Sequence, residues 1–318
     1  MTMVKDYSTK NESFIKTVAL FDKMELDNKD FCLTLLNKDL LGVDPYNPNL
    51  PDYVKEQIII ECKNNIWYFL REVVKVPTVG CNHIPLPLNI ANATAIWQSI
   101  NSVDSYLLSP SRTYRGVTFT ALALWFVKFR NQSVTIFNNT MQGAERIDDL
   151  LKSMKVPDYI DALSERDKLI IYPKDTGILD ELLQNDIQIF LDVNALHYLK
   201  YVSDRIETKY KKIKPIIMEE GTSCFRLYVY GGIHSYGFIN DVHSNIEFVP
   251  KMIDNEQDNG YINGRDGESV SLLRFDWRDM GLDEDWYNYN CKSLNNDPFA
   301  IARELDLDDS KIEYLFKE

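Results

Sequence analysis

Apolar side chains recur at spacings of three and four from Tyr53 to Val74, at Val54, Ile58, Cys62, Ile66, Phe69, Leu70 and Val73, the period of an amphipathic helix packed on a core. Asn89 to Ser105 also reads as helix, and Ser105 to Ser109 is a short apolar run of the kind that forms a buried strand. After a turn, Thr118 to Phe129 is almost wholly apolar, too long for a typical strand and suited to a buried helix. Ser133 to Phe137 is a second short β-prone run, and Ile147, Leu150, Leu151 and Met154 carry helical spacing through Ala144 to Met154. The local order is therefore βαβα. Leu169 to Tyr172, Ile187 to Leu191 and Phe225 to Tyr230 are further short runs rich in Ile, Val, Leu and Tyr, separated by helical or looped stretches. That alternation predicts an α/β fold with a mostly parallel sheet flanked by helices.

Between these runs lie the breakers. Residues 1 to 50 mix polar and apolar positions and end in the turn-rich Asp44 to Asp52, whose prolines 45, 48 and 51 interrupt helices. Pro77 to Pro87, which carries three prolines and Gly80, reads as a loop, and Gly, Asn and Asp cluster from Asn255 to Glu268 into an expected exposed loop. The predicted division is an N-terminal helical arm or subdomain over 1–80, a core over 81–265 and a small acidic, aromatic C-terminal lid or linker unit over 266–318. That last unit is too short for an independent nuclease domain built on a five-stranded sheet.

Composition narrows the classes. With 318 residues, 45% of them hydrophobic, the chain can bury a sizeable core, and no uninterrupted apolar run of about 18 residues suggests a bilayer span. The opening MTMVKDYSTKNESF carries neither a secretory nor a transit signature, so the chain is expected to stay where it is made. Cys32, Cys62, Cys81, Cys224 and Cys291 are scattered without a short pair, which argues against a disulfide framework or a zinc site. His234 and His243 have no partner at metal-ligand spacing. A net charge of −13 disfavours DNA contact without a local basic patch. The candidate patch is Lys209, Lys211, Lys212 and Lys214, with a solvated face at a helix end as the alternative.

Candidate chemistry centres on the turn between the 105–109 run and the 118–129 helix. The runs NIWYFLREVVKVP (65–77) and LPLNIANATAIWQ (86–98), the strand, turn and helix ending in LALWF, VTIFNNTMQGAERIDDLLKSM (134–154) and DWRDMGLDEDWYNYNCKSLNNDPFAIARE (276–304) together resemble the large terminase subunit of tailed phages. In the last run Trp277, Asp283, Trp286, Tyr287, Leu294, Arg303 and Glu304 fall in that family's order. The resemblance covers about residues 60 to 310 and implies a P-loop NTPase fold of the motor that packs viral DNA, acting in the cytoplasm of an infected bacterial host. It places a degenerate Walker A phosphate loop on Ser111, Arg112, Thr113, Tyr114, Arg115 and Gly116. A working loop needs small residues around the phosphates, a Lys and a Mg²⁺-binding hydroxyl. Here Tyr114 replaces a Gly and is expected to fill the space, Arg115 keeps charge without the compact ammonium, and Gly116 lacks the hydroxyl. A register shift of two offers Thr118 as a hydroxyl but supplies no Gly-Lys pair.

The resemblance also places a degenerate Walker B site on Ile187 to Leu199. Asp192 stands at the metal-side carboxylate and Val193 where the catalytic Glu belongs, and a hydrocarbon accepts no proton. Asp192 is either a relic metal ligand or an acid capping the next helix. Leu227 to Tyr230 with Gly231 and Gly232 matches the position of the coupling segment. The acidic groups Asp308 with Asp309 and Asp283 to Asp285 read as solvated or helix-start charge. The leading expectation is a non-hydrolysing ATPase-domain homologue acting in binding or assembly, with portal or motor subunits as partners, and with ATP and Mg²⁺ only if the degenerate site still binds them. Two alternatives remain: an active atypical motor using Arg115 and Asp192 with its nuclease on another chain, and a phage structural or regulatory protein reusing the fold.

Overall fold

A computed structural model describes residues 3–78, 82–101, 105–138, 140–162, 168–175, 185–191, 225–231, 261–263 and 269–308. Asp192, Val193, the lysines from 209 to 214, His234, His243, Cys81 and Cys224 lie outside these residues.

The chain opens with β1 (Val4–Lys5), which pairs antiparallel with β2 (Thr34–Leu35) around α1 (Glu12–Lys23). Helix α1 buries Phe14, Val18 and Phe21, the apolar stripe its periodicity provides. The single helix expected from Tyr53 to Val74 is broken. It divides into α2 (Asp52–Asn64) and α3 (Ile66–Tyr68), which continues as a π turn through Phe69–Val73. Asn65 causes the break: its backbone is extended at φ −143°, and its side chain accepts hydrogen bonds from the Trp67 and Tyr68 amides. The loop expected at Pro77 to Pro87 is also corrected. Lys75–Pro77 (β3) and His83–Pro85 (β4) form an antiparallel ribbon, with Pro77 and Pro85 at its ends, where Pro is tolerated in isolated strands.

The core follows as α4 (Ile90–Ile100), β5 (Ser105–Ser109), α5 (Arg115–Trp125), β6 (Val134–Phe137), α6 (Met141–Ser153), α7 (Asp158–Asp161), β7 (Leu169–Tyr172), β8 (Ile187–Leu191), β9 (Phe225–Gly231), β10 (Tyr261–Asn263) and β11 (Ser269–Arg274). The seven strands form one sheet in the order β10-β11-β5-β9-β8-β6-β7. Every neighbouring pair is parallel except β10 with β11. The mixed α/β fold with a mostly parallel sheet is therefore present. Within the expected exposed loop at 255–268, Tyr261–Asn263 is instead a strand. Ser269–Arg274, which the sequence assigns to the C-terminal unit, lies beside β5.

Helix α4 packs on β5, β9 and β11, α5 packs on α6, and α6 reaches β7. Buried side chains from α1 to β11 form one hydrophobic cluster. The Trp125 indole N–H donates to the Cys62 carbonyl at 2.7 Å and ties α5 to α2. Beyond the sheet come α8 (Glu284–Ser293) and α9 (Pro298–Ile301), the latter running into a π turn at Ala302–Asp306. Among the described residues no helix is long and apolar enough to cross a membrane.

Candidate functional site

Strand β5 is flanked by β9 and β11, and the chain leaves it for β6, on the far side of β9 and β8. The strands that follow β9, β10 and β11, lie on the opposite side of β5. Connections leaving these two neighbours thus run in opposite directions across the sheet, and such a point opens a crevice at the carboxyl ends of parallel strands. The 110–114 turn follows the carboxyl end of β5 at this point of the sheet.

The turn's shape is set by two residues in the left-handed region, Arg112 at φ 67° and Tyr114 at φ 60°. Neither is Gly, so each carries a cost of about 1–2 kcal/mol that the surroundings must offset. The surroundings supply hydrogen bonds. Asn89 and Asn92 donate from their amide groups to the Thr113 carbonyl at 2.9 and 3.3 Å. The Thr113 hydroxyl donates to the Pro110 carbonyl at 2.9 Å, and the Arg115 guanidinium turns back to the same carbonyl at 3.4 Å. Thr118 is fully buried; its hydroxyl accepts from Asn92 at 3.1 Å and lies 3.0 Å from the Tyr114 carbonyl.

Tyr114 corrects an expectation. Its side chain is not buried in the turn: the residue stands at the N-cap position of α5, is 56% exposed and makes no capping hydrogen bond with its side chain. Gly116, in the first turn of α5, has open space where a Cβ would stand. A strand, a tight turn and a helix start thus follow one another here.

Two elements from the end of the chain close over the turn. The buried Ser111 amide donates to the Glu304 carbonyl at 2.8 Å. The neighbouring Arg112 guanidinium donates to the Asn290 side-chain oxygen at 3.3 Å and to the Ser293 hydroxyl. Both grips come from one helical unit. It is fixed by the Asp283 side chain, which accepts from the Trp286 amide at 2.8 Å, by stacked Trp277 and Tyr287 rings at 4.7 Å, and by the Tyr287 hydroxyl on Asp306 at 2.8 Å. Burial first, then the hydrogen bond to Asp306, pushes the Tyr287 phenol well above its ordinary range and keeps it a donor.

Asp192 and Val193 follow directly on the described end of β8. There Asn138 joins three strand ends: its amide side chain donates to the Leu191 carbonyl at 3.1 Å, its backbone amide donates to the Tyr172 carbonyl at 3.0 Å, and its side-chain oxygen accepts from the Thr140 amide. Among the described residues no cluster of His, Cys, Asp and Glu could hold a metal ion. A separate cavity of about 210 Å³, lined by Asp6, Lys10, Asn11, Arg71, Glu72 and Lys75, lies in the N-terminal part; its buried Arg71 is paired with Asp6 and Glu72. Asn89, Asn92, Asn138, Asn290 and Ser293 were missed by sequence reasoning. Only Asn89 carried a local signal, as a cap residue before a helix.

No protein-family model matches the chain, and no curated protein matches it. Among solved structures it is similar to the UvsW helicase from bacteriophage T4, with a TM-score of 0.37 and 11% identity over 86% of this chain and 100% of that one. A likeness of that extent leaves the functional reading to the geometry of the turn.

Proposed function

We propose that this chain is a terminase-large-subunit-like relative of P-loop NTPases that holds a phosphate-bearing ligand at the 110–116 turn without hydrolysing it, and serves in binding or assembly. One observation carries this reading: the strand, turn and helix stand at the crevice of the sheet, yet Arg115 folds back on Pro110 and Gly116 offers no hydroxyl for a metal ion. Val193, in place of a general base, points the same way. Phage portal or motor subunits are the proposed partners, and the charge of −13 makes DNA a poor one.

The test is ATP turnover at high protein concentration with Mg²⁺ and duplex DNA, compared with a Tyr114→Ala/Arg115→Ala double variant. Equal background rates are expected. Turnover clearly above the double variant would instead select an active, atypical motor using Arg115 and Asp192. That second reading has one observation in its favour: the Tyr114 side chain is exposed rather than buried in the turn. Calorimetry with ATP in the presence and absence of Mg²⁺ separates them further, because only the motor, which uses Asp192 for the metal, needs Mg²⁺ for tight binding.

A further inference from the structure

Two consecutive residues of the turn are held by one body. Ser111 offers its backbone N–H to Glu304 in the π turn after α9, and Arg112 offers its guanidinium to Asn290 and Ser293 on α8. These are two donors that an anion at the turn would need, one from the main chain and one charged. Their present acceptors are a neutral carbonyl, a neutral amide and a neutral hydroxyl. An anionic oxygen makes hydrogen bonds roughly twice as strong as neutral acceptors do, so it can displace them, but only by moving the body that carries them.

That body is not loosely attached. Leu307 is buried at the end of the π turn with φ 54°, a left-handed conformation unfavourable for a non-Gly residue, and its carbonyl accepts from Arg274 at the end of β11. The Phe275 amide extends the β5 ladder by donating to the Leu108 carbonyl at 3.0 Å. The helical unit is therefore built on the strand adjoining β5, within reach of the turn that follows it.

We propose that the α8–α9 unit is an internal stopper: the Glu304 carbonyl, Asn290 and Ser293 occupy the turn's donors, and a phosphate-type anion binds only by levering the unit away. The inference rests on the reading of the turn as a phosphate site and adds its regulation. Occupancy of the turn and position of the C-terminal unit become alternatives, coupled as two ligands competing for one set of donors.

Ser293 is exposed, so Ser293→Ala should fold normally, and an Asn290→Ala/Ser293→Ala double variant removes the grip on Arg112 altogether. Inorganic pyrophosphate serves as the probe, with calorimetry for affinity and hydrogen exchange for the unit. Affinity is expected to rise from wild type through Ser293→Ala to the double variant, by about tenfold overall for a lost hydrogen bond to a charged group. Pyrophosphate should also speed amide exchange across 298–306 in the wild type. Affinities equal within about twofold, read in Ser293→Ala if the double variant fails to fold, overturn the stopper and leave the phosphate site standing. Absence of pyrophosphate binding in every folded form overturns the phosphate site, and the stopper with it, because a released turn then has nothing to admit.

Discussion

Glu61 is almost wholly buried, and its carboxylate accepts from the Leu36 and Asn37 amides, both at 2.9 Å, and from Asn65 at 2.7 Å. Three donors converge on one buried acid, so its oxygens are satisfied away from water. Closer to the surface, Asp30 receives the Tyr7 hydroxyl at 2.7 Å and Lys5 at 2.9 Å. Burial works against its ionisation, but the hydrogen bonds from Tyr7 and Lys5 and the charge of Lys5 outweigh it and hold the carboxyl below its ordinary value. The same bond pushes the Tyr7 phenol up to about 12. For Asp30 the folded value is depressed, so its contribution is present above the unfolded value of about 3.9 and is lost as pH falls through the folded one. Tyr7→Phe should therefore raise the pH at which Asp30 takes its proton. A carbon-13 titration of the Asp30 carboxyl checks this; an unmoved midpoint would show that the phenol does not bear on it.

At the scale of elements, α6 comes so close to the end of β6 that a Cβ at Gly143 would stand 1.9 Å from the Asn138 side-chain oxygen. Asn138 cannot yield freely, because it also holds the Leu191 carbonyl of β8. Gly143→Ala is expected to destabilise by about 1–3 kcal/mol, the usual cost of overpacking, and to loosen the end of β8 next to Asp192. Chemical denaturation gives the first quantity. Hydrogen exchange at 189–191 gives the second, and unchanged protection there would separate Asn138 from the Asp192 strand. The runs that became β5, β6, β7, β8 and β9 were legible in the sequence almost to the residue, because buried parallel strands are short and continuously apolar. The ribbon β3–β4 was hidden by the prolines at its ends, and β10 by the Gly, Asn and Asp around it. The break in the 53–74 helix turned on one residue, Asn65, whose capping role competes with an unbroken apolar period.

For the molecule as a whole, the legible part of the site was its local half. Strand, turn and helix follow one another in sequence, so their order showed; the grips of Glu304, Asn290 and Ser293 on Ser111 and Arg112 are long-range and leave no local pattern. The net charge of −13 acts at this scale also. Self-repulsion opposes the compact state and is screened by salt over a Debye length of about 10 Å at 0.1 M. Raising ionic strength from about 0.01 to 0.15 M should lift the thermal midpoint by a few degrees. A scanning-fluorimetry series reads it, and a falling midpoint would mean that specific ion pairs outweigh the overall repulsion.

The sheet order bears on how the chain is made. β5 has β9 on one side and β11 on the other, both far later in the chain. On a ribosome adding about 5–20 residues per second, the strand is out for on the order of ten seconds before either neighbour exists. Through that interval both its edges are open templates for wrong pairing. The buried helices α4 and α5 on either side of it in sequence can form from local contacts while it waits. Biogenesis therefore depends on keeping the middle of the future sheet sheltered until its latest strands arrive.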